Sequence, residues 1–363
     1  MKDYTVNNID RIDSPALLVY EDRVRQNIRL AIEITGGDAG RLRPHVKTHK
    51  MGAVCRMMMD EGITRFKCAT IAEAEMLAME GAPDVLLAYQ PVGPKAERLL
   101  QLTVTYPQTR FACLVDHWES ACFIDRLFAG ASSRLDVFID VNVGMNRTGV
   151  LFLQAIELAR RIQPLKHLRI AGLHGYDGHV HDSDLAVAAA YDFLKTAHRA
   201  IAPLFPWPLT LVMGGTPSFP LDARHPEVEC SPGTFVFWDW GYRQLFPDLP
   251  FRYAALVVCR VVSVIDEHHI CLDLGYKAIA SEKPLPHRVQ FLHAPEIVPV
   301  AHSEEHLVAK TPDSRLYPPG SVCYGVPMHI CPTVALYEKA FVVRGNEVTT
   351  TWPVQARNRF ITI

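Results

Sequence analysis

The chain has 363 residues, of which 49% are hydrophobic and 21% charged, with 37 basic against 39 acidic side chains and a net charge of −2. That length suits two domains of about 150 residues, or one larger barrel with an addition. The balanced composition excludes intrinsic disorder, a collagen-like repeat and a field that would gather nucleic acid or anionic membrane. Nine cysteines include no CxxC pair, and the polar start carries no apolar leader core. Both point to reduced thiols in a cytoplasmic protein. The longest apolar stretch, 253–265, is interrupted by Arg260 and falls short of the roughly 20 residues that a membrane helix needs.

Residues 14–20 read as a strand and 21–35 as a helix, 41–48 as extended and 51–61 as helical. Further strands are expected at 65–70, 84–89, 110–116, 135–142, 168–176 and 209–214, with helices at 71–80, 151–162 and 184–201. Strands alternating with helices make βαβ units and a parallel sheet. Eight such strands before residue 218 predict a (β/α)₈ barrel over 12–240. An open doubly wound sheet would carry a glycine fingerprint after its first strand, and none is present. Beyond residue 240 the pattern changes to strands at 251–265, 269–274, 288–293, 320–324 and 340–343, separated by Pro and Gly turns. This predicts an antiparallel β domain over 241–363, on which residues 1–11 could also pack.

Polar residues gather at the ends of the barrel strands. His45, Lys47 and His49 alternate in an extended stretch and are expected on one face. A lysine desolvated there has a lowered pKa and can attack a carbonyl as a neutral amine; the bland alternative is a basic surface patch. Arg147, in Gly-Met-Asn-Arg-Thr-Gly after an apolar strand, offers a permanent cation to an anionic oxygen. The segment from Gly172 to His181 holds three histidines, Tyr176 and Asp177, a composition suited to acid–base work or metal binding. Gly214, Gly215 and Thr216, then Gly233 and Thr234, are two turns whose backbone amides and hydroxyls could cradle a phosphate. His329 and Cys331 alternate on an expected strand, so thiolate and imidazole could converge on one ion; a buried cysteine beside a hydrogen-bonded histidine is the alternative.

The motifs His-Val-Lys47-Thr-His-Lys, Gly-Met-Asn-Arg147-Thr-Gly, Gly-Gly-Thr216-Pro-Ser, Pro-Gly-Thr234, Ser303-Glu-Glu-His306 and His329-x-Cys331-Pro-Thr occur in this order over nearly the whole chain. In combination they resemble the D-threonine aldolase / D-serine dehydratase family of fold-type III pyridoxal-phosphate enzymes, related to alanine racemase. The resemblance implies a cofactor-binding barrel followed by a β domain. It implies that Lys47 carries the cofactor as a Schiff base, that Arg147 reaches the cofactor's phenolic oxygen, and that Tyr176 lines the site. It further assigns the phosphate to Gly214, Gly215, Thr216, Gly233 and Thr234, and a divalent metal (Zn²⁺, Mn²⁺ or Mg²⁺) to His329 and Cys331.

A homodimer and a small D-amino acid as substrate also follow from the resemblance, while the balanced charge and the short apolar runs argue against a nucleic-acid or membrane partner. The reaction it implies first is retro-aldol cleavage of β-hydroxy D-amino acids such as D-threonine. The alternative is β-elimination, as in a D-serine or 3-hydroxy-D-aspartate dehydratase, and the Cys331 ligand favours it. A racemase stands further off, since it needs no metal, and a pyridoxal-phosphate carrier protein would lack the second domain. Lys47, His179 and His181 are the candidate bases.

Overall fold

The computed structural model describes residues 4–181 and 183–363. It contains two compact units. One comprises the chain up to Leu30, Thr48–Val54 and Thr234–Arg357; the other comprises Ala31–Lys47, Cys55–Gly233 and Asn358–Ile363.

The first strand, β1 (Ala16–Tyr20), is buried at every position and leads into helix α1 (Glu21–Ile34). After helix α2 (Gly52–Asp60) the second unit is a run of parallel strands: β2 (Arg65–Cys68), β3 (Asp84–Leu87), β4 (Arg110–Val115), β5 (Leu135–Val141), β6 (Leu168–Gly175), β7 (Thr210–Met213) and β8 (Val228–Cys230). Each strand pairs with the next in chain order. The connections carry helices α3 (Ile71–Met79), α4 (Pro94–Thr105), α5 (Trp118–Gly130), α6 (Phe152–Ile162), α7 (Asp184–Ile201) and the single turn α8 (Phe219–Asp222). Helix α3 starts where Thr70 caps the Glu73 amide and the Glu73 carboxylate accepts from the Ala69 amide, a reciprocal cap that fixes its first turn.

The stretch 42–46 closes this sheet. The amides of Arg43 and His45 donate to the carbonyls of Cys230 and Pro232, while Val46 and Lys67 exchange bonds across the other edge through the carbonyls of Lys67 and Pro44. Both edge strands are thereby satisfied, and the eighth stave of the barrel is a string of single bridges rather than a regular strand. Inside, Leu86, Ala112, Leu114, Phe138, Ala171 and Val212 form an apolar plug.

Arg43 is buried at 2% exposure and holds Asp84 at 2.5 Å and Glu229 at 2.7 Å, tying the closing stretch to β3 and β8. Breaking a buried ion pair costs about 3–5 kcal/mol. Here Arg110 still reaches Asp84 and Arg65 still reaches Glu229, so Arg43→Met is expected to cost about 3 kcal/mol, the lower end of that range. Urea unfolding measures it.

In the other unit, β9 (Ala255–Asp266) is flanked antiparallel by β1, β10 (His269–Leu272) and β14 (Val322–Pro327). Its neighbours continue through β11 (Val289–Phe291), β12 (Val298–His302), β13 (Leu307–Lys310), β15 (Lys339–Arg344) and β16 (Glu347–Pro353). Two short helices, α9 (Trp240–Leu245) and α10 (Ile330–Val334), complete it. Among the described residues no helix is long and apolar enough to cross a membrane.

The barrel and the antiparallel sheet agree with the sequence expectation; the assignment of the first strand does not. Residues 14–20 were expected to open the barrel, but β1 pairs with β9 and, parallel, with β15. An apolar run such as Ala-Leu-Leu-Val-Tyr reads alike in either sheet. The missing barrel strand is β8, only three residues long. The expected division at residue 240 consequently differs from the observed one, which places the chain up to Leu30 with the β unit and Asn358–Ile363 with the barrel.

Candidate active site

Three basic side chains of the barrel unit converge on one aromatic ring. Tyr176 follows β6, and its ring centroid lies 5.7 Å from Lys47 Nζ, 5.8 Å from Lys67 Nζ and 5.2 Å from Arg147 Cζ. The ring folds back over the backbone: a Cβ at Gly178 would fall on its hydroxyl, and one at Gly215 would lie 2.9 Å from Cε2. Lys47 sits in a turn after the closing stretch, where its amide donates to His45 Nδ1 at 3.2 Å. That turn ends the extended run, so the expected common face of His45, Lys47 and His49 does not form. His49 is fully buried, stands edge-on to Phe237, and accepts from the Met51 amide at 3.1 Å. Burial pulls its pKa down to about 3, leaving it neutral.

Lys67, on β2, is 1% exposed. Its Nζ lies 3.5 Å from His174 Nε2, and His174 Nδ1 lies 2.7 Å from Asp140 Oδ1. Desolvation, then the charge of Lys47, lowers the Lys67 pKa to about 7. Desolvation likewise lowers that of His174, against its bond to Asp140. The sequence reading did not single out Lys67. The signal was a lysine between Phe66 and Cys68 in an apolar strand, a place where lysine is rarely found without a task.

The two expected phosphate turns divide between partners. Thr216 Oγ1 accepts from the Gly233 amide at 3.0 Å, so these two segments meet. Thr234 instead places its hydroxyl 3.5 Å from Cys331 Sγ. Gly214, at φ +81°, packs so closely on Asp222 that a Cβ would strike the carboxyl group. Asp222 is buried, and desolvation and the neighbouring Asp177 raise its pKa well above the carboxylate range. Asp177 is also raised by burial, while Ser218 Oγ donates to it at 2.7 Å.

The amides of Gly214, Gly215 and Gly233 donate to the Gly175 carbonyl, Ser218 Oγ and Thr216 Oγ1, so the fit to a phosphate ester rests on the side-chain-free approach at Gly214 and Gly215 and on the burial that favours the neutral form of Asp222. Cofactor affinity is therefore expected to weaken as pH rises and Asp222 ionises. Asp222→Asn should remove that weakening, as read by a fluorescence titration with pyridoxal phosphate.

His329 and Cys331 lie in the β unit at the start of α10, not on a strand; His329 occupies the N-cap position. They are nevertheless together, since the His329 side chain, from its N-cap position, hydrogen-bonds Cys331. Burial would lower the His329 pKa, but its hydrogen bond to Cys331, the Cys331 charge and Glu282 hold it up at about 9. Glu282 meets His329 Nδ1 at 2.6 Å, and Thr48 Oγ1 lies 3.2 Å from Cys331 Sγ. A thiolate beside an imidazole whose other nitrogen is fixed by a carboxylate is a donor set that suits a zinc-like ion. Among the described residues no third His, Cys, Asp or Glu joins them as a ready-made metal cluster, so water or substrate would fill the other positions.

The remaining expected residues are less engaged. His179 is exposed and touches Gly144 in the Arg147 loop, where a Cβ would lie 3.3 Å from its Nε2; His181 is exposed.

Two family models match the chain: "Alanine racemase, N-terminal domain" over residues 19–238 and "Putative serine dehydratase domain" over 254–343. A D-threonine aldolase of an Arthrobacter species is 26% identical over 96% of this chain and 93% of its own length. A D-threo-3-hydroxyaspartate dehydratase of a Delftia species is 23% identical, over 94% and 97%. The crystal structure of a D-threonine aldolase from Filomicrobium marinum superposes with a TM-score of 0.89 at 29% identity, covering 98% of both chains. Structures of the Delftia dehydratase include a cysteine-to-alanine variant in metal-free form and a histidine-to-alanine variant, the two positions being two residues apart. The barrel match alone spans more than half of the sequence, and the chain belongs to the alanine racemase N-terminal-domain family of fold-type III pyridoxal-phosphate enzymes, here with a serine dehydratase-type domain after the barrel.

Proposed function

We propose that this enzyme is a pyridoxal-phosphate- and divalent-metal-dependent lyase of β-hydroxy D-amino acids, cleaving D-threonine-like substrates to glycine and an aldehyde. The observation that carries the reading is the convergence of Lys47, Lys67 and Arg147 on the Tyr176 ring. Pyridoxal phosphate supplies an electron sink for a bond broken at Cα. Lys47 would hold it covalently, Tyr176 would line its site, and Arg147 would offer donors to an anionic oxygen. Gly214, Gly215, Thr216 and Gly233 receive the phosphate, with Asp222 kept neutral behind them. His329 and Cys331 hold the metal, a Lewis acid toward a β-hydroxyl, and Glu282 orients His329. A homodimer belongs to the same reading, and light scattering tests it.

One observation favours β-elimination as a second reading. The metal pair contains a cysteine, and the Delftia dehydratase variants carry histidine and cysteine substitutions at the same spacing. The two reactions differ in which proton leaves: the hydroxyl proton for aldol cleavage, the Cα proton for elimination. Product analysis with D-threonine and D-serine, in the presence of pyridoxal phosphate and Mn²⁺ or Zn²⁺, decides. Acetaldehyde and glycine are expected; a 2-oxo acid and ammonia would replace the first reading with the second.

A further inference from the structure

A lysine has to lose a proton before it can act as a nucleophile, and at neutral pH that proton needs somewhere to go. We infer that Lys67 is the proton acceptor for Lys47: the buried amine takes up the proton that Lys47 sheds before its lone pair attacks a carbonyl, and returns it when Lys47 is released. Lys47 and Lys67 share no direct hydrogen bond, so solvent water carries the proton: an N–H bond breaks at Lys47 Nζ, one forms at Lys67 Nζ, the charge of the pair is conserved and no reactant other than water is required. The inference rests on Lys47 being the cofactor-bearing amine.

The surroundings of Lys67 leave it as the group suited to the task. Both amines lie within 6 Å of the Tyr176 ring centroid, and the charge of Lys47 is felt at Lys67. With its Nδ1 proton committed to Asp140, neutral His174 turns the Nε2 lone pair toward Lys67, ready to accept from a new ammonium. The charges of Asp177 and Asp140 favour the protonated form, and desolvation, Lys47 and Arg43 oppose it. Asp222 also senses Lys67 from α8. Arg43 and Arg147 cannot give up their protons. Asp177 and Asp222 are a mutually repelling pair held toward neutrality by burial. As Lys47 loses its charge, the repulsion on Lys67 disappears, so loss at one amine favours gain at the other.

The test is the rate at which cofactor-free protein acquires the visible absorption band on mixing with pyridoxal phosphate, followed by stopped flow from pH 6 to 9. In the wild type the rate should climb through about pH 7, where Lys67 titrates. Lys67→Met and Lys67→Arg should both slow it about 100-fold at pH 7.5, the lower end of general-base effects, while the final band is kept. Rates and pH profiles equal to wild type in both variants would overturn the inference. A wild type with no band at all would instead overturn the reading of Lys47.

A second measurement needs no cofactor. The unfolded chain keeps the Lys67 proton to about 10.5 and the folded chain loses it near 7. The unfolded state therefore binds more protons across this window, and stability rises with pH. Lys67→Met should flatten that rise and be the more stable protein at pH 7. A rise with pH as steep in Lys67→Met as in the wild type would show that Lys67 does not titrate across this window, and would count against the inference.

Discussion

Lys47→Ala protein is expected to develop no visible band with pyridoxal phosphate and to lose turnover by a factor on the order of 10⁶, as when a covalent nucleophile is removed from other enzymes. Nothing else in the barrel unit replaces it cheaply. Lys67 is an amine near the same ring, but it is enclosed, with its Nζ facing His174. Added methylamine should restore part of the turnover if the loss is chemical rather than structural. A Lys47→Ala protein that retains the band would transfer the carrier role to Lys67, and borohydride reduction followed by peptide mapping would show it.

Cys331→Ala and His329→Ala are expected to leave the band intact and to lower turnover about 10²–10⁴-fold, as several kcal/mol of Lewis-acid stabilisation would require at about 1.4 kcal/mol per tenfold. Dialysis against a chelator should do the same to the wild type, reversibly. Cys331→Asp is the informative variant. It replaces a soft thiolate with a hard oxygen, so the metal giving the highest activity should move from Zn²⁺ toward Mn²⁺ or Mg²⁺. Loss of Glu282, which fixes His329 Nδ1, should weaken metal affinity about 10–100-fold. Full activity in chelator-treated Cys331→Ala protein would remove the metal from the reaction.

The barrel was legible because its strands are short apolar runs set between helix-length segments, and position along the chain determines pairing in a parallel sheet. The β1 assignment failed because its five residues carry no mark of which sheet receives them. Helices α4 and α5 were passed over although both run for twelve residues or more. Arg147 and Tyr176 stood out as unusual residues after apolar strands, and Lys47, His329 and Cys331 as alternating polar or ligating residues in stretches expected to be extended.

Lys67 and Asp140 lie inside regular strands, where periodicity points to the apolar positions, whereas His174 was one of the three histidines already conspicuous in 172–181. The shared face expected for His45, Lys47 and His49 was lost to two local bonds, from the Lys47 amide to His45 and from the Met51 amide to His49. Such side-chain-to-backbone bonds turn a chain that alternation alone would keep straight.

Strand β1 is central in its sheet, and its partners are distant in the sequence: residues 255–258 on one side and 341–343 on the other. A ribosome emits it near the start and supplies those partners only after all the barrel strands have been made. Until then Ala-Leu-Leu-Val-Tyr is an unsatisfied apolar edge on both sides, open to pairing with another nascent chain. Slow translation or scarce chaperone should therefore harm the yield of this protein more than its final stability would suggest, and a charge placed in β1 to prevent aggregation would forfeit the strand's buried place.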